Sequence, residues 1–409
     1  ERLRIISNGN VGIGTTTPTE KLEVAGAIKA TGGLLSEGAG ANSFRAGYLA
    51  GQITQGQSAV AVGQKAGRTT QGAEAVAVGL DAGEITQGYR AVGVGVRAGE
   101  SSQGQYSTAL GAYSGRNGQQ GFAVAIGYNA GNTTQGTNSV AVGTNAGQTT
   151  QGAESVAVGS NAGNNTQGTL SVAIGPYAGN TAQGGSSAAV GYGAGQRSQG
   201  AFAVGVGRDA GQNSQANYAV AMGYQAGQGS ATVGDFQGSG SVAIGNAAGK
   251  TVQGAYSVAV GPSAGYLNQG ASSVAVGTYT GNLNQGGNSV SVGNGAGQTT
   301  QGASSVAVGN LAGQTTQATN AVAVGAYAGY SAQSGNAVAL GVSAGQTSQG
   351  GNSIAIGREA GYTTQGGNAV AVGVFAGQTT QGTYATAIGY QAGMGSATVG
   401  DFQGANAVA

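Results

Sequence analysis

Along this chain two aliphatic residues, separated by a single small one, recur at a spacing of sixteen. Ser139-Val140-Ala141-Val142-Gly143 is followed by Ser155-Val156-Ala157-Val158-Gly159. Such units begin at residue 43 and every sixteen residues to 219, then at 241 and every sixteen to 385, with a last start at 407. We number each unit from the small residue before the aliphatic pair, so that positions 2 and 4 are aliphatic. Alternation of period two in β-branched residues predicts a short strand with both side chains on one face. A strict repeat of this length predicts a solenoid. Each unit then makes one coil of two short strands and two turns, with coils stacked as parallel strands about 4.8 Å apart. The 22 complete units predict a rod on the order of 100 Å long.

Positions 5 and 9 are Gly in all 22 complete units, as at Gly143, Gly147, Gly159 and Gly163. Invariant Gly at fixed spacing predicts turns that need positive φ or close backbone approach, and Gly at this density is incompatible with helix. Position 3, on the face opposite the aliphatic pair, is Ala in 19 of 23 units, among them Ala141, Ala157 and Ala173. A solvated face has no reason to keep Ala, so this stripe is expected to pack outside its own coil, against the same stripe of another copy. Position 13 is Gln (Gln135, Gln151, Gln167). Identical amides one coil apart can form a hydrogen-bonded ladder along the axis; repeated amides for sugar binding are the functional alternative.

Charge supports the register. Lys65, Asp81 and Arg97 share position 7, Arg68, Glu84, Glu100 and Arg116 share position 10, and Glu74 and Arg90 share position 16. Stacking sets opposite signs next to each other except at Glu84 and Glu100, and exposed pairs of this kind contribute little each.

The period breaks twice by six residues, in GYQAGQGSATVGDFQG (223–238) and GYQAGMGSATVGDFQG (389–404). These insertions, near 228–238 and 394–404, predict loops on one face, with Asp235, Phe236, Asp401 and Phe402 as candidate binding residues. The alternative is a bulge that resets register. Residues 1–40 depart from the repeat. Asn8-Gly9 predicts a hairpin turn, and Leu22, Val24 and Ile28 predict a further short strand. The segment reads as a connector or cap ahead of a shaft spanning 41–409.

Composition narrows the chemistry. The 409 residues include 86 Gly and no Cys, His or Trp, with a formal net charge of +1. This excludes disulfides and thiolate metal sites, removes the commonest general base, and leaves no electrostatic case for nucleic acid or a membrane surface. No apolar run approaches a transmembrane helix. The chain starts at Glu1 and stops within a repeat at Ala409, which reads as a fragment whose missing ends hold an anchor to a virion or cell surface. No cofactor or metal is expected: Gly-x-Gly matches do not open a helix after a strand, and most coils lack the Asp of a calcium-binding repeat.

The unit SVAVG or SVAIG followed by xxAG, across residues 43–409, resembles the head repeats of trimeric autotransporter adhesins. That resemblance implies a left-handed parallel β-roll assembled as an intertwined or side-by-side homotrimer. The repeat of that family is usually shorter, and the TTQG arm here looks like an extended second half-coil. Gly9-Asn10-Val11-Gly12-Ile13-Gly14-Thr15-Thr16, with Pro18 and Lys21-Leu22-Glu23-Val24, looks like the GNVGIGTTxPxxKLEV segment of phage and other virion tail fibres.

The expected class is thus all-β, a parallel β-roll or β-solenoid of 16-residue coils. The expected function is the shaft of a virion fibre that holds a host-attachment region away from the particle and meets a glycan or protein receptor, with a bacterial surface adhesin as the alternative. Outward tyrosines at positions 6, 7 and 10, such as Tyr128, Tyr177 and Tyr327, are candidate contacts. No enzymatic activity is expected, because a glycosidase needs two carboxylates within about 5–9.5 Å and Arg68 and Arg116 account for Glu84 and Glu100. Ice binding is a third class, disfavoured because adjacent threonines such as Thr149-Thr150 should point to opposite faces.

Overall fold

The computed structural model describes residues 3–25, 40–230, 236–395 and 403–409. Among these the structure is all-β and without helix, a parallel β-solenoid in which each repeat is one coil. Positions 2–4 form the strand of one face, as in Val140–Val142 and Val156–Val158. Each such strand pairs in register with the coil before and the coil after, Val140↔Val156, Ala141↔Ala157, Val142↔Val158. The ladder runs from Phe44–Ala46 to Thr386–Ile388. A second face carries shorter strands at positions 12–13, such as Thr150–Gln151, paired Gln135↔Gln151↔Gln167.

Two glycines per coil set the turns. Gly143 has φ +128°, and a Cβ there would stand 2.7 Å from the carbonyl oxygen of Gly159. Gly147 has φ +53°, and its Cβ would stand 2.8 Å from Oε1 of Gln151. Gly159 and Gly163 repeat both conditions one coil on, at φ +129° and +53°. The first glycine lets backbones stack and the second makes room inside the coil for an amide side chain.

That interior overturns one expectation. Ala141, Ala157 and Ala173 do not face outward; they are fully buried within their own coils, in a continuous core with the position-8 alanines Ala146, Ala162 and Ala178. The coil is too thin for larger residues, because two alanine columns and one flat Gln column fill it. The Ala stripe is therefore the core and not an interface between copies. Val140 and Val142, on the opposite side of the same strand, point out of the coil and stay only half-buried.

The Gln column lies in this interior, with Gln135, Gln151 and Gln167 at most 1% exposed. Each Nε2 donates across the coil to the position-2 carbonyl, Gln135 to Val124 at 2.7 Å, Gln151 to Val140 at 2.7 Å and Gln167 to Val156 at 2.8 Å. Direct amide-to-amide bonds run unbroken from Gln285 to Gln381 at 3.0–3.2 Å. Gln119 also donates to Gln135 at 3.0 Å. At Gln151 and Gln167 the ladder lapses, and both Oε1 atoms are buried without a partner. The ladder is thus structural, and burial removes these amides as sugar ligands.

The first insertion leaves the register intact. Val220 pairs with Val242 and Gln215 with Gln237, each 22 residues on, after which the spacing of 16 resumes. The second behaves alike, with Gln381↔Gln403 and Thr386↔Val408. The extra residues leave both columns undisturbed, so they do not reset register.

Ahead of the coils, Arg4–Ile5 and Val11–Ile13 form the antiparallel hairpin expected around Asn8-Gly9, and Leu22–Val24 adds in parallel. Asn10 is buried there and donates from Nδ2 to the Pro18 carbonyl at 3.2 Å. Ile28 lies outside the described residues.

Candidate functional site

With the core closed by Ala and Gln, whatever this chain binds must meet the outward columns. Positions 2 and 4 form an apolar stripe the length of the shaft, with Leu110, Ile126, Ile174 and Leu340 between 36% and 45% exposed. β-Branched residues suit the strand, but this many aliphatic side chains pointing away from the core is not a solvated pattern.

The charge columns pair as their spacing predicted. Asp81 lies between Lys65 at 3.9 Å and Arg97 at 3.4 Å, Arg68 meets Glu84 at 3.2 Å, and Arg116 meets Glu100 at 2.5 Å. Each glutamate of the one like-charged step thus has its own arginine. At position 16 Arg90 Nε donates to Glu74 at 2.8 Å, and the Tyr89 hydroxyl donates to the same carboxylate at 3.0 Å. The Arg90 hydrogen bond, helped by Tyr89, holds the Glu74 carboxyl below its ordinary value. Burial, with the bond to Glu74, pushes the Tyr89 phenol up. All three side chains are solvent-accessible, so this cluster adds surface order more than stability.

Of the insertion residues, Asp235, Asp401 and Phe402 lie outside the described residues. Phe236 is half-exposed in the position-12 column, directly before Gln237. The tyrosines expected at positions 6 and 7, such as Tyr128, Tyr177 and Tyr327, are exposed, whereas Tyr266, Tyr330 and Tyr362 at position 10 are half-buried. Tyr177 and Tyr192 meet edge to face with centroids 5.9 Å apart.

A second aromatic set went unread in the sequence. Tyr106 and Phe122 stack at 5.0 Å with ring planes 10° apart, and Phe202 and Tyr218 stack at 5.1 Å with planes 2° apart. All four occupy position 16, where the backbone is left-handed at φ +58° to +62°. The signal was available: this column is mostly Asn, Ser and Gly in the C-terminal half, the residues that accept positive φ, so bulky rings there are exceptional.

The threonine expectation needs correction. Thr149 and Thr150 are both exposed, because the strand begins only at Thr150 and its neighbour belongs to the turn. The position-12 column is nevertheless broken by Ala182, Phe236, Val252 and Asn268, which leaves no continuous threonine array.

Compared with known proteins, the chain matches no family model, no curated protein and no solved structure.

Proposed function

We propose that the chain is the shaft of an adhesive fibre in which three copies pack through the outward Val/Ile stripe. That stripe carries the reading. With roughly 40 aliphatic side chains each leaving on the order of 50 Å² open, it presents about 2,000 Å² of apolar surface. This is the range that permanent homo-oligomers bury, and more than the few hundred Å² that monomers leave exposed. The partner it fits is itself, since the same columns at the same spacing recur on every copy.

The resemblance to trimeric adhesin heads supports three chains and a left-handed roll, and the tail-fibre-like segment at 9–24 supports a virion fibre over a bacterial adhesin. A fibre of this kind works mechanically. Among the described residues the coils are tied to their neighbours by backbone hydrogen bonds, such as Gly143 N to Ile126 O at 2.8 Å and Val140 N to Ser155 O at 2.9 Å.

The test is a paired outward substitution, Val308→Asp with Val324→Asp, read by sedimentation and circular dichroism. The proposal expects an assembly that loosens while the β signal persists. Unchanged sedimentation would refute the stripe as the contact.

A further inference from the structure

We infer that the corner between positions 12 and 16 of the coils around Phe202 and Tyr218 is a binding site for a neutral oligosaccharide. The inference deepens the fibre reading by giving the shaft a receptor-contact site of its own. An open groove of about 480 Å³ runs across these coils, lined among others by Ser198, Gly200, Asn217 and Ser239. Among the described residues, its lining carries no ionisable side chain. The next residue on from Ala201, and from Asn217, is a member of the coplanar Phe202–Tyr218 pair, 53% and 61% exposed.

The rank after Tyr218 is Gly240, with no side chain, and the Tyr256 ring leans over it: a Cβ at Gly240 would lie 2.9 Å from that ring. The stacked pair therefore ends at Tyr218, and the exposed part of that ring is where a sugar can lay its C–H face. Polar edges are close by. Asn217 Oδ1 accepts from Ala201 N at 2.9 Å, and the Ser239 hydroxyl donates to the Asn217 carbonyl at 3.1 Å. The two Nδ2 protons of Asn217 have no partner among the described residues and are available to ligand hydroxyls.

The alternative occupant, an extended peptide, has nothing to pair with. Backbone amides along this corner are committed between coils, Gly200 to Gln215 at 2.7 Å and Ala216 to Gln237 at 3.0 Å, so strand addition is blocked. No described lining residue is a cation that would recruit an anionic polymer. Side-chain amide, hydroxyls and an open ring face are what recognition of a neutral sugar uses.

The test is saturation-transfer NMR on the 409-residue chain with cellohexaose, xylohexaose and mannohexaose, and a heparin hexasaccharide as the anionic comparison. Two variants accompany it. Phe202→Asn with Tyr218→Asn installs the residue that position 16 carries in many other coils, and Ser239→Tyr fills the groove with the residue that position 15 carries at Tyr89. We expect at least one neutral hexasaccharide to bind and both variants, with unchanged circular dichroism, to weaken it by about tenfold or more. No binding by any neutral hexasaccharide, binding that survives both variants, or preference for the heparin fragment would each overturn the inference. None of those results alters the assembly state, so failure of the fibre reading is separately visible in the sedimentation experiment.

Discussion

The buried glutamine column can be weighed by substituting it at two places where its surroundings differ in one respect. Gln317 donates to the Val306 carbonyl at 2.7 Å and to Gln333 Oε1 at 3.0 Å, and accepts from Gln301 Nε2 at 3.1 Å. Gln151 donates to the Val140 carbonyl at 2.7 Å but has neither ladder bond, and its Oε1 is unpartnered. Both sit between the same position-3 and position-8 alanines. Methionine fills a comparable volume without a strong donor or acceptor. Gln151→Met therefore removes one bond to a backbone carbonyl, whereas Gln317→Met also removes two amide-to-amide bonds and strands Gln333 Oε1. At about 1 kcal/mol per net buried hydrogen bond, Gln317→Met should cost about 2–3 kcal/mol more. Because repeat arrays open locally, the assay is hydrogen exchange by mass spectrometry, comparing amide protection over residues 301–340 and 135–175 in each variant with the parent. Equal loss of protection at the two places would refute the idea that the ladder adds to the cross-coil bond.

Three further outcomes follow from the same geometry. Leu170 holds φ +58° with 57% of its surface exposed, so Leu170→Asn should stabilise the chain by about 1 kcal/mol in thermal melts. Gly143→Ala places a methyl 2.7 Å from the Gly159 carbonyl at φ +128° and should cost at least about 2 kcal/mol, seen as a lower denaturation midpoint. Arg90→Gln should raise the Glu74 pKa toward the ordinary carboxylate range, measured by NMR titration. A carboxylate lowered in the folded state contributes stability above its unfolded pKa and loses it as pH falls through the folded value, so the variant should lose the small part of the acid dependence that Glu74 supplies.

Spacing alone carried much of this architecture. The sixteen-residue period, the turn glycines, the in-register Gln column and the Lys65–Asp81–Arg97 charge series are all relations between residues one coil apart, and sequence shows those directly. Inside and outside were harder. Period-two alternation separates Val140 and Val142 from Ala141 but does not say which side faces the core, and the larger residues would ordinarily be taken as the buried ones. The decision depends on coil width, which is set by what faces the strand across the interior: Ala146 and the flat Gln151 amide leave room only for Ala141. The aromatic corner was missed for another reason. Tyr106 and Phe122, or Phe202 and Tyr218, look scattered until read as one column, and only the left-handed backbone shared by position 16 shows them to be a stacked rank.

The outward Val/Ile stripe is the centre of the account, because it determines whether this solenoid acts alone or as a strand of a fibre. Light scattering on the purified chain, coupled to size exclusion and without denaturant, tests it most directly. The account predicts a mass of three times the 38.8 kDa chain on a rod-like particle. A folded particle of single-chain mass, with the stripe open to water, would contradict it.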